Sequence, residues 1–487
     1  MKLESCRTFF HLIIASANVV VLCVALIMNK TFNVVHLTRS LNLKQSLIFR
    51  KDIMFVAILV IMQGLQAVAQ ASSVNRVEIK MSDAQLNQIL SSDRYEVDSS
   101  EVKIFANGQL MGRSQVELQN RGQTSLKKFK RKNLTLKMMY KNDGSEEKHA
   151  KFNIGSIRSK KIILSAGPED GLLLKNRLSY SLLNHVGVTA LQSDYAELIL
   201  NGQSQGLYMV TDNPSDFVIK SKDADVVFRR RYNDDIEFKD SKKDLTDHEI
   251  KAAHQQLSLL HKKLTSLSGA DFVREISKHF NLQNYMKWMA LNYLLKNGDF
   301  VDEVYFFGKK QDSGTMYFDI VPWDLDDIFA EQMHLAQVPT FPNNAMADES
   351  NKQLIFNYEG RIDLAIARDP VLLEMYFQVM TEVVDQLDDI ALEALFAQIN
   401  DDVKPYLTNN DIVKAGLKDA EKVIYDESYV KQSLNEKLKI LRERRDFVKS
   451  ELNKIYQDTL ENRKLRLNAF QLFFIKLNNY LLRYFTK

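Results

Sequence analysis

The hydropathy pattern of this 487-residue chain predicts an α+β class, a strand-rich half followed by a helix-rich half. Three observations predict it. Residues 72 to about 165 carry short alternating apolar and polar runs separated by polar turns. Residues 195–200 and 206–210 alternate on either side of Asn201-Gly202, a pair suited to the type I′ turn of a tight hairpin. From about residue 245 the apolar positions recur every three to four residues, the spacing of helices with one buried face. The reading divides the chain into 1–71, 72–212, 213–462 and 463–487. Composition is that of an ordinary globular protein, 45% hydrophobic and 26% charged, and the net charge of +3 gives no reason to expect a nucleic-acid partner. The two cysteines, Cys6 and Cys23, both precede residue 72, so the rest of the chain has no disulfide, thiolate nucleophile or cysteine-based zinc site.

The N-terminal region reads as a targeting segment. Residues 9–28 form an apolar run long enough to span a bilayer. A second, shorter run over 53–65 follows Arg50 and Lys51 and precedes Ala67-Val68-Ala69, which resembles a secretory cleavage site. Two arrangements are consistent with this: a signal peptide on a chain that starts near Met54, or a membrane hairpin whose basic loop stays in the cytoplasm. Both predict an extracytoplasmic location, whether periplasmic, secreted or membrane-anchored.

Along the remainder, residues 102–105 and 115–118 read as a hairpin around Asn107-Gly108, and 134–138 as a further strand. Residues 172–186, closed by Gly187, form the first helix. Helices are expected over 248–267, 282–295, 370–384 and 391–399, and Leu434, Leu438, Leu441, Val448, Leu452 and Ile455 mark the stripe of a long charged helix. His254 and His261 share one helix face, where a solvated surface is favoured over a metal site. Residues 331–353, with Pro339 and Pro342, read as a lid or an insert. The basic amphipathic stretch 463–487 suits a docked terminal helix or contact with an anionic membrane.

Chemistry concentrates in Val321-Pro322-Trp323-Asp324-Leu325-Asp326, after the strand-like run 316–321. In an extended segment Asp324 and Asp326 share a face, and two converging carboxylates repel unless a cation lies between them. Mg²⁺, held by one or two carboxylates and phosphate oxygens, fits that arrangement. The competing reading is that these aspartates cap a following helix. Asn297-Gly298-Asp299, with Asp302 and Glu303, lies about 25 residues upstream, and a base-bearing loop followed by a metal-binding strand end is the logic of phosphoryl transfer.

Four ordered stretches resemble the CotH family, the spore-coat-type atypical kinases. The first is Asn120-Arg121-Gly122-Gln123-Thr124-Ser125 with the basic strand Lys130-Arg131-Lys132-Asn133-Leu134-Thr135-Leu136-Lys137. The second is Leu173-Leu174-Lys175-Asn176-Arg177-Leu178, and the third the Asn201-Gly202 hairpin ending in Gly206-Leu207-Tyr208-Met209-Val210. The fourth joins Asn297-Gly298-Asp299 to Pro322-Trp323-Asp324-Leu325-Asp326. Each is short, and their order over roughly residues 100–450 carries the resemblance.

The resemblance implies an atypical protein-kinase-like two-lobed fold, with a strand-rich N-lobe, a helical C-lobe and ATP between them. Thr211-Asp212-Asn213 would connect the lobes. Asp299 would be the catalytic base, Asp324 would bind Mg²⁺ (or Mn²⁺), and Asp326 would support it. Lys132 or Lys137 would meet ATP phosphates and Arg121 would orient the preceding loop, while Arg177 and Trp323 are further candidates for the nucleotide site. For Arg177 a phosphate and a nearby carboxylate are both reasonable partners, and for Trp323 burial between lobes is favoured over stacking on a ligand. The implied activity is transfer of a phosphoryl group to Ser or Thr hydroxyls of surface or coat proteins, with membrane contact through the N-terminal segments and no nucleic acid. The alternatives are a non-catalytic surface or adhesion module and another nucleotide-dependent protein modification on the same scaffold. Departures from the family pattern are Val304 where a metal-binding Asn is expected, with only Asp302 or Glu303 able to substitute, Asp212 for Glu, Gln123 for Asn and Ala330 for Gly.

Overall fold

Burial alternates residue by residue along the strands of the first half, and this pattern sets their pairing. The computed structural model describes residues 74–98, 101–106, 109–122, 124–139, 152–167, 170, 172–231, 235–263, 268–299, 302–330, 354–355, 361–407, 412 and 426–462. All of these lie in the unit Ser73–Lys487, the other unit being Met1–Ser72. The targeting region, the Asn107-Gly108 turn, the 331–353 loop and the 463–487 helix lie outside the described residues. Among the described residues no helix is long and apolar enough to cross a membrane.

The first sheet contains β1 (Arg76–Lys80), β2 (Glu96–Asp98), β3 (Glu101–Ala106), β4 (Gln109–Ser114), β5 (Val116–Arg121), β6 (Asn133–Met138), β9 (Lys161–Ser165), β10 (Ser193–Leu200) and β11 (Gln203–Asp212). The short pair β7 (Phe152–Ile154) and β8 (Ile157–Ser159) stands apart. Spatial order in the large sheet is β2-β5-β6-β9-β11-β10-β1-β3-β4. Neighbours are antiparallel except β1 and β10, which run parallel.

The sheet is covered on both sides. Leu118, Leu134, Leu136, Ile162, Leu164, Tyr208 and Val210 pack on one face with Val77 and Ile79. Ile163, Tyr195, Leu207 and Met209 point the other way, into the core shared with the helices. Arg121, one residue after buried Asn120, lies on the helix-facing side by the period-two rule.

The expected hairpin 195–200/206–210 forms, with Asn201 at φ 47 and Gly202 at φ 83, the paired positive φ of a type I′ turn. Asn201 also accepts the Met81 N–H (2.8 Å) and donates to the Met81 carbonyl (2.9 Å), which ties the turn to the end of β1. The other expected hairpin is corrected. Residues 101–106 pair with 109–114, whereas 116–121 pairs with β6 and β2 at the far side of the sheet. Strand β4 is an edge strand paired on one side, so its sequence carries little apolar alternation to reveal it.

Among the described residues the helices, in chain order, are α1 (Asp83–Ile89), α2 (Thr124–Lys128), α3 (Leu174–His185), α4 (Pro214–Ser221), α5 (Asp247–Lys263), α6 (Gly269–Ile276), α7 (Leu282–Leu295), α8 (Arg361–Arg368), α9 (Pro370–Gln386), α10 (Asp389–Leu407) and α11 (Glu427–Asn462). Every helix expected between residues 172 and 462 is among them. The helix-rich half also contains a four-stranded antiparallel sheet that the periodicity did not announce. Its order is β13 (Ile236–Ser241), β12 (Val226–Arg230), β14 (Val304–Lys310), β15 (Met316–Pro322). Val226, Val227 and Phe228 are all fully buried, as are Val304 and Phe306, so alternation is absent and only 316–321 read as a strand.

Candidate functional site

Two loops, one after α7 and one after β15, are fastened together. Lys296 closes α7 in the left-handed region, and Asn297, fully buried, donates its backbone N–H to the Asn292 carbonyl (3.1 Å). Gly298 then donates to the Asp327 carbonyl (2.9 Å), Phe329 to Leu295 (2.7 Å) and Ala330 to Lys296 (3.2 Å). A Cβ on Gly298 would lie 2.1 Å from Asp327 Oδ2 and 2.9 Å from Ala330 Cβ, so glycine permits the approach. This fastening places Asp299 beside the loop that carries Asp324 and Asp326.

The second loop is anchored by three hydrogen bonds. The Trp323 N–H donates to the Glu303 carbonyl (2.8 Å), extending the β14–β15 ladder by one bond. The Asp324 N–H donates to the Tyr180 hydroxyl (3.3 Å), and Ser179 Oγ donates to the Leu325 carbonyl (3.2 Å), both from α3. Asp324 has φ 55, a left-handed conformation that Asp tolerates better than most residues. The extended geometry expected at Asp324 is therefore replaced by a left-handed residue. Residues 323–330 contain no helix, so neither aspartate is a helix cap.

Negative charge accumulates here. Burial pushes the Glu303 carboxyl well above the usual range, and the charges of Asp324, Asp299, Asp326 and Asp302 push it further. Burial likewise raises Asp324, with Arg121 and Arg229 opposing and Asp299 and Asp302 reinforcing. Asp326 is raised by burial, then by Asp324, Asp170 and Asp327, against Lys175. Yet the Asp326 residue is exposed to solvent. Tyr180 is pushed up by burial and by Asp324.

Arg121 reaches this site from the sheet and lies over the Trp323 ring, 4.8 Å from its centroid. Trp323 is 3% exposed, so its ring is packed under Arg121. The remaining sequence candidates are engaged elsewhere. Lys132 is buried, and its Nζ donates to the Leu126 and Phe129 carbonyls (2.6 and 2.5 Å), closing the end of α2. Lys137 is exposed and pairs with Glu117 across the β5–β6 ladder at 3.0 Å. Arg177 binds the Asp402 carboxylate on α10 and the backbone and hydroxyl oxygens of Ser193, so its partner is a carboxylate. His254 and His261 bond backbone carbonyls of Ile236 and Leu257 at 2.9 Å.

Asp302 and Glu303 diverge although adjacent. Asp302 pairs with Arg229 at 2.8 Å and Arg231 at 3.4 Å. Glu303 is 5% exposed and its Oε2 has no hydrogen-bond partner. Tyr180 and Lys175 are additions that the sequence did not single out. A tyrosine in an apolar helix pattern reads as core, and Lys175 lies inside a motif whose prominent cation is Arg177.

The donor set suits a hard cation. Its oxygens are carboxylates, they repel one another, and one buried oxygen is unsatisfied. Among the described residues no group of three or more acid, imidazole or thiol side chains could by itself hold a metal ion. Phosphate oxygens would have to complete the shell of an ion here, as they commonly do for Mg²⁺.

A family model described as CotH kinase protein matches residues 118–448, a span that includes Arg121, Tyr180, Asp299, Glu303, Asp324 and Asp326. Inner spore coat protein H of Bacillus subtilis (strain 168) is 24% identical over 189 residues, which cover 36% of this chain and 52% of that protein. The chain thus spans about half the length of the curated relative it matches. With a family match over more than half of its residues, on the elements that build this site, the chain belongs to the CotH kinase family.

Proposed function

We propose that this protein is an extracytoplasmic CotH-like kinase that transfers a phosphoryl group from ATP to Ser or Thr hydroxyls of surface or coat proteins. The observation that carries the reading is the fastening of the Asp299 loop to the Asp324–Asp326 loop around buried, mutually repelling carboxylates. Phosphoryl transfer asks for that combination: a carboxylate at the nucleophile and an anionic seat for a metal, held at fixed separation. When bound, Mg²⁺ supplies positive charge to the phosphate oxygens. Asp299 accepts the proton of the acceptor hydroxyl. Asp324 would hold the metal, with Asp326, the more exposed of the two, supporting it. Arg121 and Lys175 are the cations placed to face phosphate oxygens, because both lie in the electrostatic environment of these aspartates. The coat or surface location rests on the name of the Bacillus relative.

The test is incubation of purified protein with γ-labelled ATP and Mg²⁺ or Mn²⁺, using itself and casein as acceptors. Label should transfer with wild type and be lost in Asp299→Ala and Asp324→Ala. One observation favours a non-catalytic surface module instead: Val304, where the family pattern expects a metal-binding amide, is fully buried in β14. Folded wild-type protein that neither transfers label nor gains thermal stability from ATP with Mg²⁺ would favour that module.

A further inference from the structure

Just beyond Arg121 the chain crowds five cations into six positions, Lys127, Lys128, Lys130, Arg131 and Lys132. Two of them belong to the fold. Lys132 answers the Leu126 and Phe129 carbonyls at the end of α2, and Arg131 donates to the Leu207 carbonyl and lies 4.9 Å from the Tyr208 ring centroid. Lys127, Lys128 and Lys130 are exposed, with Lys128 Nζ 5.0 Å from the centroid of the Phe129 ring. These cations line a pocket of about 390 Å³ together with Phe129, Leu90, Ser92 and Gln205, and no acid is among the described residues that line it. The pocket lies apart from the Asp324 site. Leu90 packs on the core of Leu134, Leu136 and Tyr208, the sheet face turned away from the helices, whereas Arg121 turns to Trp323. Asn120 marks the division, since its side chain donates to the Ile89 and Asp93 carbonyls at 3.0 and 2.8 Å, on the α1 side.

We propose that this pocket docks an acidic segment of a protein partner, a run of Asp and Glu side chains with an apolar residue among them. A concave surface lined by one sign of charge concentrates its field and draws the opposite charge. The cations that face solvent are lysines, point charges on flexible stems that suit several carboxylates at varied spacings. The single arginine, whose planar fork would orient one phosphate, is engaged by a backbone carbonyl. Phe129 and Leu90 offer apolar contact, and Ser92 and Gln205 offer neutral hydrogen-bonding groups for a peptide backbone. That mixture fits a polypeptide better than a bare polyphosphate. The whole-chain net charge of +3 gives no general field for nucleic acid, so the attraction is local to the pocket. A volume of this size accommodates a ligand of a few side chains. The inference does not rest on the kinase reading.

The experiment follows the fluorescence anisotropy of a fluorescein-labelled peptide, Asp and Glu residues around one Phe, titrated with the full-length protein at low salt and without nucleotide or metal. Wild type should bind, and affinity should fall as sodium chloride is raised, because the lysines are exposed and salt screens them. Lys127→Gln, Lys128→Gln and Lys130→Gln combined should weaken binding at least about tenfold, with a melting temperature moved no more than by a surface substitution. Should that variant misfold, Lys127→Glu alone reverses one exposed charge and should weaken binding. Lys278→Gln, Lys431→Gln and Lys439→Gln combined remove the same charge from exposed positions elsewhere and should bind as wild type does. Equal losses in the two triple variants reduce the effect to net charge and overturn the inference. So does wild-type affinity in the pocket variant, or a wild type that does not bind at low salt. Inorganic polyphosphate or a single-stranded oligonucleotide that binds more tightly than the peptide through the same lysines overturns the choice of an acidic polypeptide.

Discussion

The Arg230 cluster and the Asp324 cluster are both charged and both enclosed by protein, and they are built in opposite ways. Arg230 and Asp363 are 1% and 0% exposed. Arg230 donates to the Tyr285 hydroxyl (2.6 Å), Tyr285 donates to Asp363 (2.6 Å), and Trp288 lies 5.2 Å beneath the guanidinium. One cation meets one anion through a shared hydroxyl, with the two charges 3.8 Å apart. Around Asp324 the carboxylates Asp299, Glu303 and Asp326 gather with Arg121 and Arg229 opposing, and Glu303 keeps an unsatisfied oxygen. Burial alone therefore does not mark function here. A charge-matched pair clamps the fold, whereas acids in excess of their cations are the kind of arrangement that functional sites use.

The sharpest way to break the comparison is to remove one carboxylate from each cluster. Asp363→Asn should destabilise the protein by about 3–5 kcal/mol in denaturant unfolding, because the buried Arg230 loses its counter-ion. Asp324→Asn should leave stability unchanged or higher while abolishing label transfer. Equal destabilisation by both would erase the distinction. Asp299→Ala should reduce transfer by about 10²–10⁴-fold, the range for loss of a general base, without altering the metal-free melting temperature by more than a surface substitution does.

The two clusters should also differ in pH response. Glu303 and Asp326 have raised carboxyl pKa values in the fold, so the folded state holds protons that the unfolded chain has already released. Stability of the metal-free protein should then fall as pH rises through and above the ordinary carboxylate range. Mg²⁺ should flatten that fall, and a melting curve with the same pH slope in chelator and in Mg²⁺ would refute it. The smallest effect belongs to a surface acid of the opposite kind. Glu249 is held down to about 2 by the Thr246 backbone N–H, with Lys310 assisting, in the capping box that opens α5. Its contribution is present at neutral pH and lost as pH falls toward 2, and Glu249→Gln should lower the melting temperature slightly, indifferent to Mg²⁺.

How much of this was legible depends on whether a residue's role is local. Asn201-Gly202 announces its hairpin because the turn chemistry lies in two adjacent residues, and α7 announces itself through its own apolar spacing. Asp299 and Asp324 were legible as acids placed after a helix and after a strand. Strands β12 and β14 were not, because elements buried on both faces lose the alternation that identifies a strand. Nor were Tyr180, which is defined by the loop it meets across 144 positions of sequence, or the engagement of Lys132 with the end of α2. A lysine's availability is settled by the carbonyls that fold around it, and no motif records them.

The Gly298 approach has a mechanical consequence. With Gly298, Phe329 and Ala330 bonded across the two loops, Asp299 and the Asp324 loop behave as one rigid calliper setting. The large sheet is held to the helices by a shared core, and at this corner Arg121 rests on Trp323. Whatever else shifts around the site, the separation of Asp299 and Asp324 is the quantity these bonds hold constant.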